Sequence, residues 1–239
     1  MKKNILLSMS VVVVVLIVLS SFTGLSFRFG AVHQKKIQYG DGIVLPPGFH
    51  LDVVAQNLGE ARHIAVTREG DIYVKLLRPK NGKGIIFLQN VNHNSENYKE
   101  SGFGNYGGTG ILIHNGYLYA SSNSDVYRYK LNENDEVIDP AHPEKLISGL
   151  INRREHNSKS LAVDNNGNIF VNIGAYSNSC QEEDRVQGSM GIKGCPILDS
   201  AGGIWEFKDN RLNQTYGDGI RYATGVRNVV GMDWNNQTN

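Results

Sequence analysis

The sequence predicts an all-β fold made of repeated four-stranded units, a β-propeller. Three observations carry this. From Ile43 onward, short β runs alternate with turns rich in Asn, Asp and Gly. Matching hairpins recur with Ala65, Ile113 and Ala162 in equivalent places, at intervals of about 50 residues. No stretch beyond the first residues shows helical periodicity.

The chain opens with a targeting segment. Lys2 and Lys3 precede an apolar run from Ile5 to Leu19, and no charge interrupts the sequence until Arg28. Residues 1–27 therefore read as an export signal or, being long enough to span a bilayer, as a retained N-terminal membrane anchor. Either places the rest of the chain outside the cytoplasm, in the periplasm or beyond the cell. Residues 28–42 read as a linker, and 43–239 as the first part of a propeller domain.

Each repeat starts with a hairpin. Ile64-Ala65-Val66 turns through Arg68-Glu69-Gly70 into Asp71-Ile72-Tyr73-Val74. Ile111-Leu112-Ile113 turns through Asn115-Gly116 into Tyr117-Leu118-Tyr119-Ala120, and Leu161-Ala162-Val163 through Asn165-Asn166-Gly167 into Asn168-Ile169-Phe170-Val171. Asn-Gly between alternating apolar residues is the strongest short hairpin signal. Val230 to Asn236 reads as the start of a fourth hairpin. Asp125–Leu131 and Gly203–Lys208 alternate apolar and polar residues, the pattern of outer strands wet on one face. Asn90–Tyr106 and Asn213–Ile220 read as polar loops, the first long enough to suggest a function. Gly107-Gly108-Thr109-Gly110 is not followed by a helix, so it is read as a place of close backbone approach and not as a phosphate loop. About three units fit between Val44 and Asn239, whereas propellers close with four to eight blades. The expectation is a chain holding the first three to four blades.

Composition narrows the function. A net charge of +1, with no basic stripe, argues against a nucleic-acid binder. Cys180 and Cys195 are the only cysteines. In an exported chain the pair is expected as a disulfide, ahead of free thiols or metal ligands. It would staple a loop carrying Gln181-Glu182-Glu183-Asp184-Arg185, read as a solvated charge run.

Leu45-Pro46-Pro47-Gly48-Phe49, Ala61-Arg62-His63-Ile64-Ala65-Val66, His156-Asn157-Ser158-Lys159-Ser160-Leu161 and, most specifically, Arg221-Tyr222-Ala223-Thr224-Gly225-Val226-Arg227-Asn228-Val229-Val230-Gly231 resemble the glucose/sorbosone dehydrogenase family, nearest to its sorbosone and pyranose dehydrogenase branch. The resemblance runs from Ile43 to Asn239. It implies a six-bladed propeller that binds pyrroloquinoline quinone (PQQ) with calcium beside it, the calcium ligands lying in later blades. It implies a sugar or sugar-derived aldehyde or alcohol as substrate, and an external electron acceptor.

Three residues carry that chemistry in this sequence. His156 stands just before an inner strand, where imidazole suits removal of a hydroxyl proton as hydride leaves carbon. Arg227 and Asn228 hold the equivalent place one repeat later. A guanidinium matches quinone or carboxylate oxygens, and Asn both donates and accepts. The competing roles are a surface histidine and an arginine that ties two blades together. In the glucose dehydrogenase branch an Asp supports the catalytic His; its place here is Ala175. His63, beside Arg62 on the first inner strand, is a channel-lining or a structural residue. Two other functions share the fold: a calcium-dependent lactonase, which needs an inward cluster of acidic and amide ligands, and a non-catalytic binding propeller.

Overall fold

The structure is a computed structural model and describes residues 37–38, 42–90, 98–153, 155–235 and 237. The predicted signal or anchor lies outside the described residues. The chain divides into two units, 1–51 and 52–239. In the first, β1 (Ile37–Gln38) pairs antiparallel with β2 (Val44–Leu45). Pro46-Pro47-Gly48-Phe49 then forms a turn closed by Phe49 N–H on the Pro46 carbonyl at 3.3 Å, with Gly48 at φ 88°. Pro second and Gly third is the residue order such a turn requires.

The second unit contains three antiparallel sheets in series, the blades of a β-propeller. The first sheet is β3 (Ala61–Val66), β4 (Ile72–Lys80), β5 (Lys83–Gln89) and β6 (Lys99–Phe103). The second is β7 (Ile111–His114), β8 (Tyr117–Ser121), β9 (Val126–Lys130) and β10 (Glu144–Ser148). The third is β11 (Leu161–Val163), β12 (Asn168–Ile173), β13 (Gly203–Lys208) and β15 (Ile220–Thr224). The remaining strand, β14 (Gln214–Thr215), leaves the third sheet and pairs in parallel with β10 of the second. The three predicted hairpins are present, the first turning at Glu69-Gly70 and the other two at Asn115-Gly116 and Asn166-Gly167.

Strand alternation decides what each face meets. On β8, Leu118 and Ala120 join Ala65, Tyr73, Ile85 and Phe87 of the first sheet in one core. Tyr119, between them, joins Ile169, Val171, Ile173, Trp205 and Phe207 of the third sheet in another. The middle sheet is therefore apolar on both faces. Polar ties reinforce the stack. The Arg68 guanidinium pairs with Asp135 at 3.0 Å, and the Tyr73 hydroxyl donates to the Asp135 carbonyl at 2.9 Å. Arg128, lying over the Tyr117 ring, pairs with Glu144 and donates to the Asp209 carbonyl at 2.7 Å.

Four expectations are corrected. Asp125–Leu131 and Gly203–Lys208 are third strands, not outer ones; β10 and β15 follow them. The supposed loop 90–106 contains β6, and its residues 91–97 lie outside the described residues. The supposed loop 213–220 contains β14. There Gln214, 1% exposed, donates to the carbonyls of Lys208 and Arg211, both at 2.7 Å, and accepts from Lys208 N–H at 3.0 Å. Lastly, the described part of Val230–Asn236 forms no strand. It is engaged through side chains instead: the Ser160 hydroxyl donates to the Val230 carbonyl, and the Trp234 ring stacks on Phe170 with centroids 4.9 Å apart.

Gly107, Gly108 and Gly110 do mark close approach. A Cβ on them would lie 2.1 Å from the Leu77 carbonyl oxygen, 2.1 Å from that of Ser121 and 2.3 Å from that of Lys159. Two lysines are buried without a carboxylate. Lys75 donates to the Gly84 and Tyr106 carbonyls at 3.1 and 2.7 Å, and Lys159 to the Asn157 carbonyl at 2.8 Å. Burial pushes Lys75 down to about 7 and Lys159 down to about 8.

Two expected outcomes follow from this packing. Gln214→Ala removes three hydrogen bonds between a buried amide and part-buried backbone groups and lowers stability by about 1–3 kcal/mol in denaturant unfolding. The second concerns pH. The folded lysines release their protons at lower pH than unfolded ones, so the unfolded state binds more protons from about pH 7 up to the ordinary lysine range. Stability therefore rises with pH there, each lysine adding up to about 1.4 kcal/mol per pH unit. Above about pH 10 it falls, because buried tyrosines such as Tyr119, raised to about 12 chiefly by burial, resist an ionisation that the unfolded chain undergoes. Lys75→Met flattens the rise in urea titrations between pH 7 and 10.

Candidate functional site

The first strands of the three sheets, β3, β7 and β11, line a cavity of about 610 Å³ with residues 231–234. His63 is in this wall, together with Arg62 and His114. Burial, and then the Arg62 charge, hold the His63 imidazolium below its ordinary range, which favours a neutral ring. The Nε2 atom of His114 is buried and, among the described residues, has no hydrogen-bond partner.

The three sequence-predicted site residues gather elsewhere, around the end of β12. This strand carries a polar residue inside an apolar run, Asn172, which is fully buried. Its Nδ2 donates to the Ser158 carbonyl at 2.9 Å and to Asn228 Oδ1 at 3.2 Å, and its Oδ1 accepts from Val229 N–H at 3.1 Å. One amide thus joins the segment after His156 to the segment after Arg227. The next turn of the chain completes the junction. A Cβ on Gly174 would stand 2.4 Å from the His156 carbonyl oxygen, 2.6 Å from its Cβ and 3.1 Å from Asn228 Oδ1. Only a residue without a side chain lets these two neighbours share the space.

Ala175 links the other pair. His156, held at φ 51°, directs Nδ1 at the Ala175 carbonyl oxygen at 2.5 Å. A carbonyl can only accept, so Nδ1 carries the proton and, in the neutral ring, Nε2 carries the lone pair. The Ala175 N–H in turn donates to the Arg227 carbonyl at 2.8 Å. The side chain at 175 is a methyl group, as the sequence shows, but its peptide carbonyl provides the acceptor that orients the imidazole. The Arg227 guanidinium is exposed and donates to Asn178 Oδ1, a neutral partner. Among the described residues, no carboxylate pairs with it. Asn157 Oδ1, in the residue after His156, is buried and has no hydrogen-bond partner among the described residues.

Cys180 and Cys195 are joined in a disulfide with Cα atoms 5.8 Å apart. Beside them a small cavity of about 150 Å³ is bounded by Ala175, Asn178, Val226 and Arg227. The run between the cysteines is more than a solvated face. Arg185 forks onto Glu155 at 3.0 and 2.9 Å, and Asp184 Oδ1 accepts from Asn178 N–H at 2.7 Å. Sequence reasoning missed Asn172, Gly174, Asn178, Asp184 and Arg185. The one local signal was Asn172, an amide in the middle of an otherwise apolar strand. Among the described residues, no three His, Cys, Asp or Glu side chains come together to hold a metal ion.

Solved structures with this fold include three close in shape. The iodide structure of the Trichoderma reesei carbohydrate-active enzyme of family AA12 aligns with a TM-score of 0.57 at 18% identity, over 75% of this chain and 44% of that one. Its calcium structure aligns at 0.52 and 16%, over 70% and 41%. The holo form of the pyranose dehydrogenase PQQ domain from Coprinopsis cinerea aligns at 0.51 and 18%, over 70% and 39%. At such identities the likeness is one of fold, and this chain spans less than half the length of each. No curated protein matches the sequence. The sequence from 43 to 239 matches the TrAA12-like family through all three sheets, and the chain belongs to that family.

Proposed function

We propose that this chain supplies the catalytic wall of a PQQ-dependent sugar oxidoreductase that works outside the cytoplasm. The observation that carries the reading is the His156 hydrogen bond to the Ala175 carbonyl. It commits Nδ1 as a donor and leaves Nε2 as a base, on a segment joined through the Ala175 backbone to that of Arg227. The PQQ domain of a pyranose dehydrogenase, to which the chain is similar in fold, supports the cofactor. The disulfide supports an oxidising compartment.

The donor set fits an anionic, carboxylate-bearing quinone. Arg227 is exposed and bound only to a neutral amide, so its charge is available to carboxylate or quinone oxygens. Asn228 gives its carbonyl oxygen to Asn172, which leaves its NH₂ group as the donor to offer. When bound, PQQ supplies the hydride acceptor. His156 Nε2 takes the proton from the sugar hydroxyl, and the Ala175 carbonyl stabilises the imidazolium that results. Calcium would be held by residues of later blades.

In the full-length protein loaded with PQQ and calcium, His156→Ala lowers turnover by about 10²–10⁴, with cofactor affinity kept. Arg227→Ala weakens cofactor binding, measured by PQQ absorption. Gly174→Ala, which crowds His156 and Asn228 together, lowers both. Turnover of His156→Ala within threefold of wild type sinks the base assignment. If reconstitution gives neither a cofactor band nor dye reduction with any sugar, a binding propeller replaces the enzyme; lactone hydrolysis without PQQ would favour the lactonase.

A further inference from the structure

The disulfide-closed segment 180–195 is built as a rigid hairpin. Ile192 N–H donates to the Cys180 carbonyl at 2.8 Å and Glu182 N–H to that of Met190 at 2.9 Å, and Gln181 bridges to Gly191. Its two charged contacts reach back along the chain to different places. Through Asp184 it fixes the backbone of Asn178, whose side-chain oxygen receives the Arg227 guanidinium. Through the fork of Arg185 it fixes Glu155, the residue immediately before His156. A third contact seats the Arg153 guanidinium 4.2 Å above the Tyr176 ring. The two segments that carry His156 and Ala175 are thus tied by contacts additional to their own hydrogen bond.

We propose that the Cys180–Cys195 loop is a positioning element of the site, in which Arg185 sets His156 through Glu155 and Asp184 sets Arg227 through Asn178. The proposal rests on the reading of His156 and Arg227 as base and cofactor ligand. Stability is not the whole explanation for these contacts. Arg185 is 53% exposed and its partner Glu155 17%, so the half-exposed pair adds modestly to folding. Geometry is what a planar fork confers, since two parallel N–H···O bonds fix direction as well as distance. A single backbone carbonyl orients His156, so any swing of residue 155 is passed to the imidazole. The loop therefore does from outside what an acidic partner at position 175 would do from within.

The test uses full-length protein labelled with ¹⁵N at histidine, with ring-nitrogen shifts reporting the tautomer of His156. Wild type is expected to show a single Nδ1–H form. Arg185→Gln gives mixed tautomers and about tenfold lower turnover with an unchanged melting temperature, and the exchange Glu155→Arg with Arg185→Glu restores both. Asp184→Ala leaves the tautomer intact and weakens PQQ binding about tenfold. Cys180→Ser with Cys195→Ser loses both properties; where that variant fails to fold, the two surface variants decide. The proposal is overturned if Arg185→Gln and Asp184→Ala keep a single tautomer and wild-type PQQ affinity, or if they change only the melting temperature. A wild type that binds no PQQ defeats the functional reading, while the tautomer arm still decides the role of the loop.

Discussion

Face-to-face burial between successive sheets is the constraint on which the rest of this structure depends. Each sheet is only four or five strands wide, and its cohesion comes from side chains that interlock with the next. Tyr119 and Leu118, adjacent on β8, point into two different cores. Burying a large side chain of this kind contributes about 1.5–3 kcal/mol, and the period of two distributes that gain to both neighbours at once. The stack leaves the first strands side by side, and the loops that precede them gather where chemistry can be shared between sheets.

Polar contacts at the end of β12 then convert packing into a site. Asn172 is fully buried, and an unpaired amide there would be costly. Its two donated bonds and one accepted bond fix segments that are 14 and 56 residues away in sequence. The same residue that satisfies its own burial therefore holds His156 and Asn228 in register. Fold and site are supported by one amide, and a change there would be felt by both.

The hairpins were legible because they are local: a turn dictated by Asn-Gly and strands dictated by alternation. The disulfide was legible from compartment and count. The fourth strands were not. Lys99–Phe103, Glu144–Ser148 and Ile220–Thr224 have mixed patterns and owe their conformation to the strands they pair with, a property of tertiary context. Similarly, Ala175 looked like the loss of a supporting carboxylate, because a sequence displays side chains and conceals what the peptide groups do. His156, Arg227 and Asn228 were picked out by resemblance and residue type. The residues that aim them came into view only in the fold, since Arg185 and Asn178 act through contacts of 30 and 49 residues' separation, and Asp184 acts through Asn178.

The strand that leaves the third sheet for the second bears on how the molecule is made. β10 finds its parallel partner in Gln214–Thr215, with Ser148 and Gln214 separated by 66 positions. As the polypeptide emerges from the ribosome, the second sheet has its own four strands early, yet its outer edge stays open until that later stretch has been synthesised. An open edge is a template for pairing with other chains. The blades are thus not independent modules completed one after another, and the interval between residues 148 and 214 is when a nascent chain is most exposed to misassociation.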